Sequence, residues 1–468
     1  MLSVQLRGSI FLVFAAGLVA LGICFPFSSH DWQRVLQITL ISGALVYGLS
    51  TGGARGCVDR PTAFGLLLII AAGLLSSLLA HQPLWALAEV AMMTGGATLA
   101  VAFCRVRRAG GQSLDRVLIL LVMILCLIKS AQYLYATLSA FTSGETVLDT
   151  DLLLSGFSNK RFYGQFQTFT LPLLALPLLI PRLGKPAHAA AFALLCAWWL
   201  IAISGGTRGT WLGMGAAALL LLFSGASGRR WAGWQVAAAC CGALLYWLVF
   251  RVLSEYLGME VVNGAPDRLT TSLSGRGPIW TQAWNMIIER PWLGFGPMHF
   301  ADITNDIATH PHQAILQWAS EWGVPSMLCV LWLASRAGWA VLRSIHARRL
   351  SMASADLLRL CLFAALVGAL TQSMVDGVIV MPNSQVWLAL VAGWLMALHD
   401  WQSPQPTPLP GMRRLWTVAG ALSVGLLIYV AIRDVPHLAE NIRQYAASSK
   451  GHLQPRFWVQ GVIALPKS

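Results

Sequence analysis

The stretch TAFGLLLIIAAGLLSSLLA, residues 62–80, carries no charged side chain along its whole length. Wound as a helix at about 1.5 Å per residue it is about 28 Å long, close to the roughly 30 Å of hydrocarbon in a bilayer. Comparable runs recur at 8–27, 35–50, 84–104, 116–140, 164–181, 188–204, 210–225, 231–253, 314–341, 356–375, 384–400 and 413–432. By the length rule these amount to roughly thirteen spans. The whole chain is 56% hydrophobic and 11% charged, whereas a soluble domain is about a quarter charged, so a soluble globular protein is excluded. The predicted fold class is all-α: a polytopic membrane bundle of about 12–13 helices. Abundant glycine and tryptophan fit close helix packing and interfacial anchoring.

The formal charge of +13 does not point to nucleic acid, because the basic residues are dispersed in short clusters between apolar runs. Alternate loops hold Arg55 and Arg60; Arg105, Arg107 and Arg108; Arg182 and Lys185; Arg229 and Arg230; Arg336, Arg343, Arg348 and Arg349; and Arg413 and Arg414. The positive-inside rule makes these the cytoplasmic side. The outward loops are then 141–163, the tight 204–209 turn, a large loop 254–313 between the ninth and tenth spans, and the short 376–383 turn. Residues 1–432 form one transmembrane unit. An odd number of spans puts the tail, 433–468, outside as well; were one span re-entrant, the tail would be cytoplasmic.

The first apolar block lacks a small-residue cleavage site and is read as a retained helix. WQSPQPTPLP, 401–410, is a linker between the last two spans. The cysteines lie mainly in apolar runs without paired ligand spacing, and Cys240 and Cys241 are adjacent; they are read as small apolar fillers. No internal repeat is evident, so the inverted-repeat signature of many secondary transporters is missing.

Against this apolar background the polar segment Ser274–Gly323 stands out, with SGRGPIWTQAW at its start and THPHQAILQWASEWG at its end. Basic residues also occur on the outward side, where the positive-inside bias does not ask for them: Lys160 and Arg161 in SNKRFYGQ, Arg208 in SGGTRGTW, Arg268, and Arg276 in SGRGPIW. Guanidinium forks match phosphate oxygens, and a cluster of them at a membrane face suits the diphosphate head group of a lipid carrier. Arg208 sits among Gly205, Gly206 and Gly209, which let a ligand approach closely; its alternative is to snorkel to the interface or cap a helix C-terminus.

His310 and His312 flank Pro311 just before a helix expected to begin near Gln313. A neutral imidazole can take a proton from a hydroxyl, and a protonated one can neutralise phosphate. Structural hydrogen bonding and metal binding, the latter with Asp302 and Asp306 upstream, are the other readings. Glu321, two to three turns along that helix, either orients a partner or bonds within the bundle. Trp280 and Trp284 in IWTQAWNMII mark an amphipathic helix along the membrane surface, read as packing rather than as a sugar platform. For Asp376, Asn383, Arg456, Phe457 and Trp458 the structural reading is preferred. A transporter would place polar groups near the midplane, where this sequence has few: Lys129, Asp356 and Glu89.

The order N-[KR]-R-x-x-G-Q (Asn159–Gln165), T-R-G (Thr207–Gly209), S-G-R-x-x-x-W (Ser274–Trp280), P-W-L-G-x-G (Pro291–Gly296) and H-P-H-Q-x-x-L-Q-x-x-x-E-x-G (His310–Gly323) resembles the O-antigen ligase and bacterial O-oligosaccharyltransferase superfamily. The strongest likeness covers about residues 155–330. It implies transfer of a preassembled glycan from undecaprenyl diphosphate to a hydroxyl acceptor at the periplasmic face of the bacterial inner membrane, without a metal or other cofactor. His312 matches the family's essential histidine, and Arg208 and Arg276 match arginines that engage the diphosphate. Lys160, Arg161, Gln165, His310, Gln313 and Glu321 are the accompanying substrate contacts. Relatives often carry Asn after the histidine, and Gln313 departs from that. Two acceptors share this chemistry: Ser or Thr of an exported protein such as a type IV pilin, or a sugar of the lipid A core. The tail, with PRFWVQG near its end, resembles the extra C-terminal sequence of protein-glycosylating relatives and tips the preference to the pilin type. A glycan polymerase and a lipid or sugar transporter are further alternatives.

Overall fold

The structure is a computed structural model that describes residues 4–25, 29–51, 57–144, 146–262, 275–399, 410–448 and 453–463. Arg55, Arg268, Ser274 and the linker 401–409 lie outside the described residues. The chain runs through α1 (Val4–Cys24), α2 (His30–Ser50), α3 (Arg60–Leu78), α4 (Pro83–Thr142), β1 (Val147–Asp149), α5 (Lys160–Leu174), α6 (Leu176–Leu179), α7 (Lys185–Ser204), α8 (Arg208–Leu222) and α9 (Gly225–Trp247). A π-helical stretch, Leu248–Leu253, leads to α10 (Ser254–Tyr256) and β2 (Glu260–Val262). Then come α11 (Arg276–Glu289), α12 (Ala314–Trp322), α13 (Val324–Ala347), α14 (Ser354–Gln372), α15 (Pro382–Leu398), α16 (Pro410–Asp434) and α17 (Leu438–Ser448).

The all-α membrane bundle expected from the apolar runs is what forms. Among the described residues, eight helices are long and apolar enough to cross a membrane. Large apolar side chains cover the outside, with Leu78 70% and Leu79 67% exposed, the surface a bundle presents to hydrocarbon. The start of α3 illustrates how sequence sets a boundary: the Asp59 carboxylate accepts from the Thr62 backbone N–H at 3.1 Å, and Pro61 occupies the first turn.

Two sequence boundaries come out differently. The runs 84–104 and 116–140 belong to one element, α4, broken at Gly111, whose φ of 60° and ψ of −147° take the backbone out of the helix. Its two limbs return to the same end of the bundle: Glu89 reaches Arg456, while the Tyr133 hydroxyl donates to Ser204 Oγ at 2.7 Å. The bend is braced by Arg107, which pairs with Asp115 at 2.8 Å. The run 314–341 is two helices, because Gly323 with φ 82° ends α12 and starts α13 in a new direction. Only α13 has the length and composition of a span.

The helices that position the site cross closely. A Cβ at Gly213 of α8 would lie 2.5 Å from the Gly368 carbonyl oxygen of α14, so the crossing depends on the missing side chain. At the same end β1 and β2 pair in parallel, Val147 opposite Glu260, and tie the 146–159 loop to the chain after α9. Residues 453–463 also pack at this end, against the segment before His310: the Thr309 hydroxyl donates to the Gln454 carbonyl at 3.0 Å.

Candidate active site

A cleft at this end is lined by Lys160, Arg161, Gly206, Thr207, Arg208, Gly209, Arg276, Val375 and Asp376, and encloses about 480 Å³ including its open mouth. Its cations come from three separate places in the chain with one structural habit. Lys160 and Arg161 begin α5, Arg208 begins α8 and Arg276 begins α11. Each helix start adds unsatisfied N–H groups and partial positive charge to the side chains, so side-chain and backbone electrostatics point the same way, toward an anion.

Local sequence fixes these starts. Asn159 caps α5 by accepting from the Arg161 backbone N–H at 2.8 Å. The Thr210 hydroxyl donates to the Gly164 carbonyl at 2.8 Å and locks α8 against α5. Gly206, at φ 61°, makes the turn that brings Arg208 in. Lys160 pairs with Asp151. Burial, then the positive charge of Arg161, hold the Arg276 guanidinium below its ordinary value; Asp376 opposes this and Arg208 adds to it.

The carboxylate in the cleft is Asp376, on the turn between α14 and α15. Its Oδ1 accepts from the Gly377 N–H at 2.8 Å and its Oδ2 from the Gln372 amide at 3.3 Å. Burial works to raise its pKa, but His312 and then Arg161 outweigh that, and it stays below the usual aspartate value. His312 Nδ1 lies 3.7 Å from Asp376 Oδ1, a charge-pairing distance longer than a hydrogen bond. The backbone of His312 is left-handed, with φ 53°, a conformation that surrounding structure has to hold in a non-glycine residue. Burial pushes the His312 pKa down, Asp376 partly restores it, and Arg161 and Arg276 lower it again, so the ring is neutral near pH 7.

His312 and the remaining sequence candidates fall outside the cleft lining. His310 is buried, with its ring centroid 4.1 Å from that of His312, and burial followed by the charge of neighbouring groups holds it well below the usual value. Gln165 is buried and accepts from the Ser384 hydroxyl at 2.6 Å. Gln313 caps α12, its side chain accepting from the Leu316 N–H. Glu321 is fully buried and pairs with Arg456 at 2.7 Å. Trp280 reaches back to the histidine turn, its indole N–H donating to the Pro311 carbonyl at 2.9 Å, whereas Trp284 is exposed. Lys129 is buried in α4 and donates to the Ile23 and Ser155 carbonyls at 3.0 and 2.7 Å, so it braces loops rather than lining a path. Asp376, for which the structural reading was preferred, lines the cleft; its signal was a lone acid in a short turn of an otherwise apolar segment.

A family model described as O-antigen ligase matches residues 190–331. The match takes in Arg208, Arg276, His310 and His312, leaves out Lys160, Arg161 and Asp376, and supports the superfamily resemblance carried by the motifs. No curated protein matches the chain. Among the described residues no three His, Cys, Asp or Glu side chains are grouped as metal ligands are.

Proposed function

We propose that the chain transfers a preassembled glycan from a polyprenyl diphosphate, undecaprenyl diphosphate by resemblance, to a hydroxyl acceptor. One observation carries this reading: Arg161, Arg208 and Arg276, all at helix starts, line the same cleft as Asp376, against which His312 lies. Three guanidinium groups and three helix N-termini suit the charge of a diphosphate in the ground state and the extra charge it acquires as leaving group. The acceptor oxygen attacks the anomeric carbon, the bond from that carbon to the phosphate oxygen breaks, and its electron pair leaves with the diphosphate. The acceptor proton passes to the neutral His312 imidazole, whose positive charge Asp376 then offsets. A single displacement inverts the anomeric centre; a product with retained configuration would count against it.

The basic loops at the opposite end, by the positive-inside rule, favour a cytoplasmic location for that end and a periplasmic cleft in a bacterial inner membrane. For the acceptor, residues 453–463 are held by hydrogen bonds to the interior. The tail's resemblance to protein-glycosylating relatives speaks for a pilin-type protein, and the O-antigen ligase description of the matching family model speaks for a sugar of the lipid A core, which we take as the first acceptor to test. The test is reconstitution in liposomes with labelled undecaprenyl diphosphate glycan, offered pilin and lipid A core side by side. Label is expected on lipid A core. Label on pilin alone reverses the acceptor assignment, and label on neither sinks the transfer reading.

A further inference from the structure

We infer that the C-terminal segment 453–463 is a working part of the transfer centre, holding the turns of His312 and Asp376 at their mutual distance, with Thr309 and Arg456 as positioning residues. This rests on the transfer reading above. The segment grips the chain just before the histidines at four points. The Thr309 hydroxyl donates to the Gln454 and Pro455 carbonyls at 3.0 and 3.1 Å. The Gln454 amide donates to the Asn305 carbonyl at 2.9 Å, and the Ile463 N–H to the Ala301 carbonyl at 3.1 Å. Arg456, 1% exposed, donates to both Glu321 oxygens at 2.7 and 3.0 Å, and Glu321 Oε1 accepts from the Phe300 N–H at 3.1 Å.

The same segment reaches the turn that carries Asp376. Arg34 donates from Nε to the Phe457 carbonyl at 3.1 Å, and from Nη2 to the Arg456 carbonyl at 3.1 Å and the Val380 carbonyl at 2.7 Å. The Val459 N–H donates to Asp31 Oδ1 at 2.6 Å and the Trp458 indole to Asp434 Oδ2 at 2.8 Å, anchoring the segment to α2 and α16. His312 and Asp376 lie on separate turns, and residues 453–463 touch the first directly and the second through Arg34. Their 3.7 Å spacing is therefore set by a segment that lines no part of the cleft.

The test uses the full chain in liposomes with labelled undecaprenyl diphosphate glycan and whichever acceptor the wild type uses. Thr309→Val removes the hydroxyl at nearly constant volume, and Thr309→Ser restores it. Gly461→Ala acts from the other side: at φ 76° its new Cβ would lie 1.5 Å from the Gln454 carbonyl oxygen, so the segment shifts while every cleft residue is kept. Displacements of about 1 Å lower rates by up to about a hundredfold. Thr309→Val and Gly461→Ala are expected to lower kcat at least about tenfold with donor KM within about twofold of wild type, and Thr309→Ser to return kcat to within about twofold. Arg443→Ala, on the exposed face of α17, serves as the control. A wild type that transfers nothing overturns the transfer reading and this inference with it. A wild type that transfers, with Thr309→Val at wild-type kcat, altered only in donor KM, or not rescued by serine, overturns the role of the segment alone.

Discussion

Two groups of charges at the same end of the bundle are built on opposite plans. Around Arg456, cation and anion face each other out of solvent: Glu321 at 2.7 Å and Glu89 at 3.6 Å, with Arg456 and Glu321 almost wholly buried. In the cleft, Arg161, Arg208 and Arg276 share one lining carboxylate, Asp376. Like charges gathered in one cleft repel, and an incoming anion relieves that repulsion. The first group reads as architecture; the second, on the function proposed above, is where an anionic ligand would bind.

The sharpest way to break that contrast is to remove members of each. His312→Ala is expected to lower kcat on the order of 10³-fold, and Arg208→Ala or Arg276→Ala about 10²- to 10³-fold, all with an unchanged melting temperature in nanodiscs. A cleft variant that unfolds would put its residue on the architectural side. Arg456→Ala works in reverse: it leaves Glu321 buried without its counter-ion and is expected to lower unfolding free energy by about 3 kcal/mol, read by denaturation in mixed micelles. Wild-type stability there would dissolve the distinction.

A smaller effect separates the base from its partner. Because burial lowers the His312 pKa, the acid limb of kcat/KM is expected below the ordinary histidine value of about 6.5, activity falling as the ring is protonated. Asp376 raises that pKa, so Asp376→Asn should move the limb to lower pH and reduce kcat by about one to two orders of magnitude, less than losing the base. A limb that moves upward would exclude this pairing. The smallest expected change is none: with cationic side chains meeting the diphosphate, chelation by EDTA leaves the transfer rate where it was, and metal-dependent recovery after chelation would remove the arginines from that role.

Most of the fold was legible because an apolar run of bilayer length has one way to satisfy its backbone in lipid. Gly111 and Gly323 mark where the reading slipped: one joins two runs as a bent element, the other divides a run in two. The cleft cations were legible because they break the positive-inside pattern. Gln313 and Glu321 were read as contacts since they share a motif with His312, but one caps its own helix and the other pairs with an arginine 135 residues away, and nothing local announces such a partner. Asp376 was read as structural for the same reason: its place in the cleft comes from what folds beside it.

The segment 453–463, inferred above to seat the histidine turn, is last in chain order among the described residues. The ribosome therefore delivers His312 long before the segment proposed to set its posture. On the inference above, a nascent chain with α1 to α16 inserted but residues 453–463 not yet made would still hold a slack, idle turn, and competence would wait for those residues to follow.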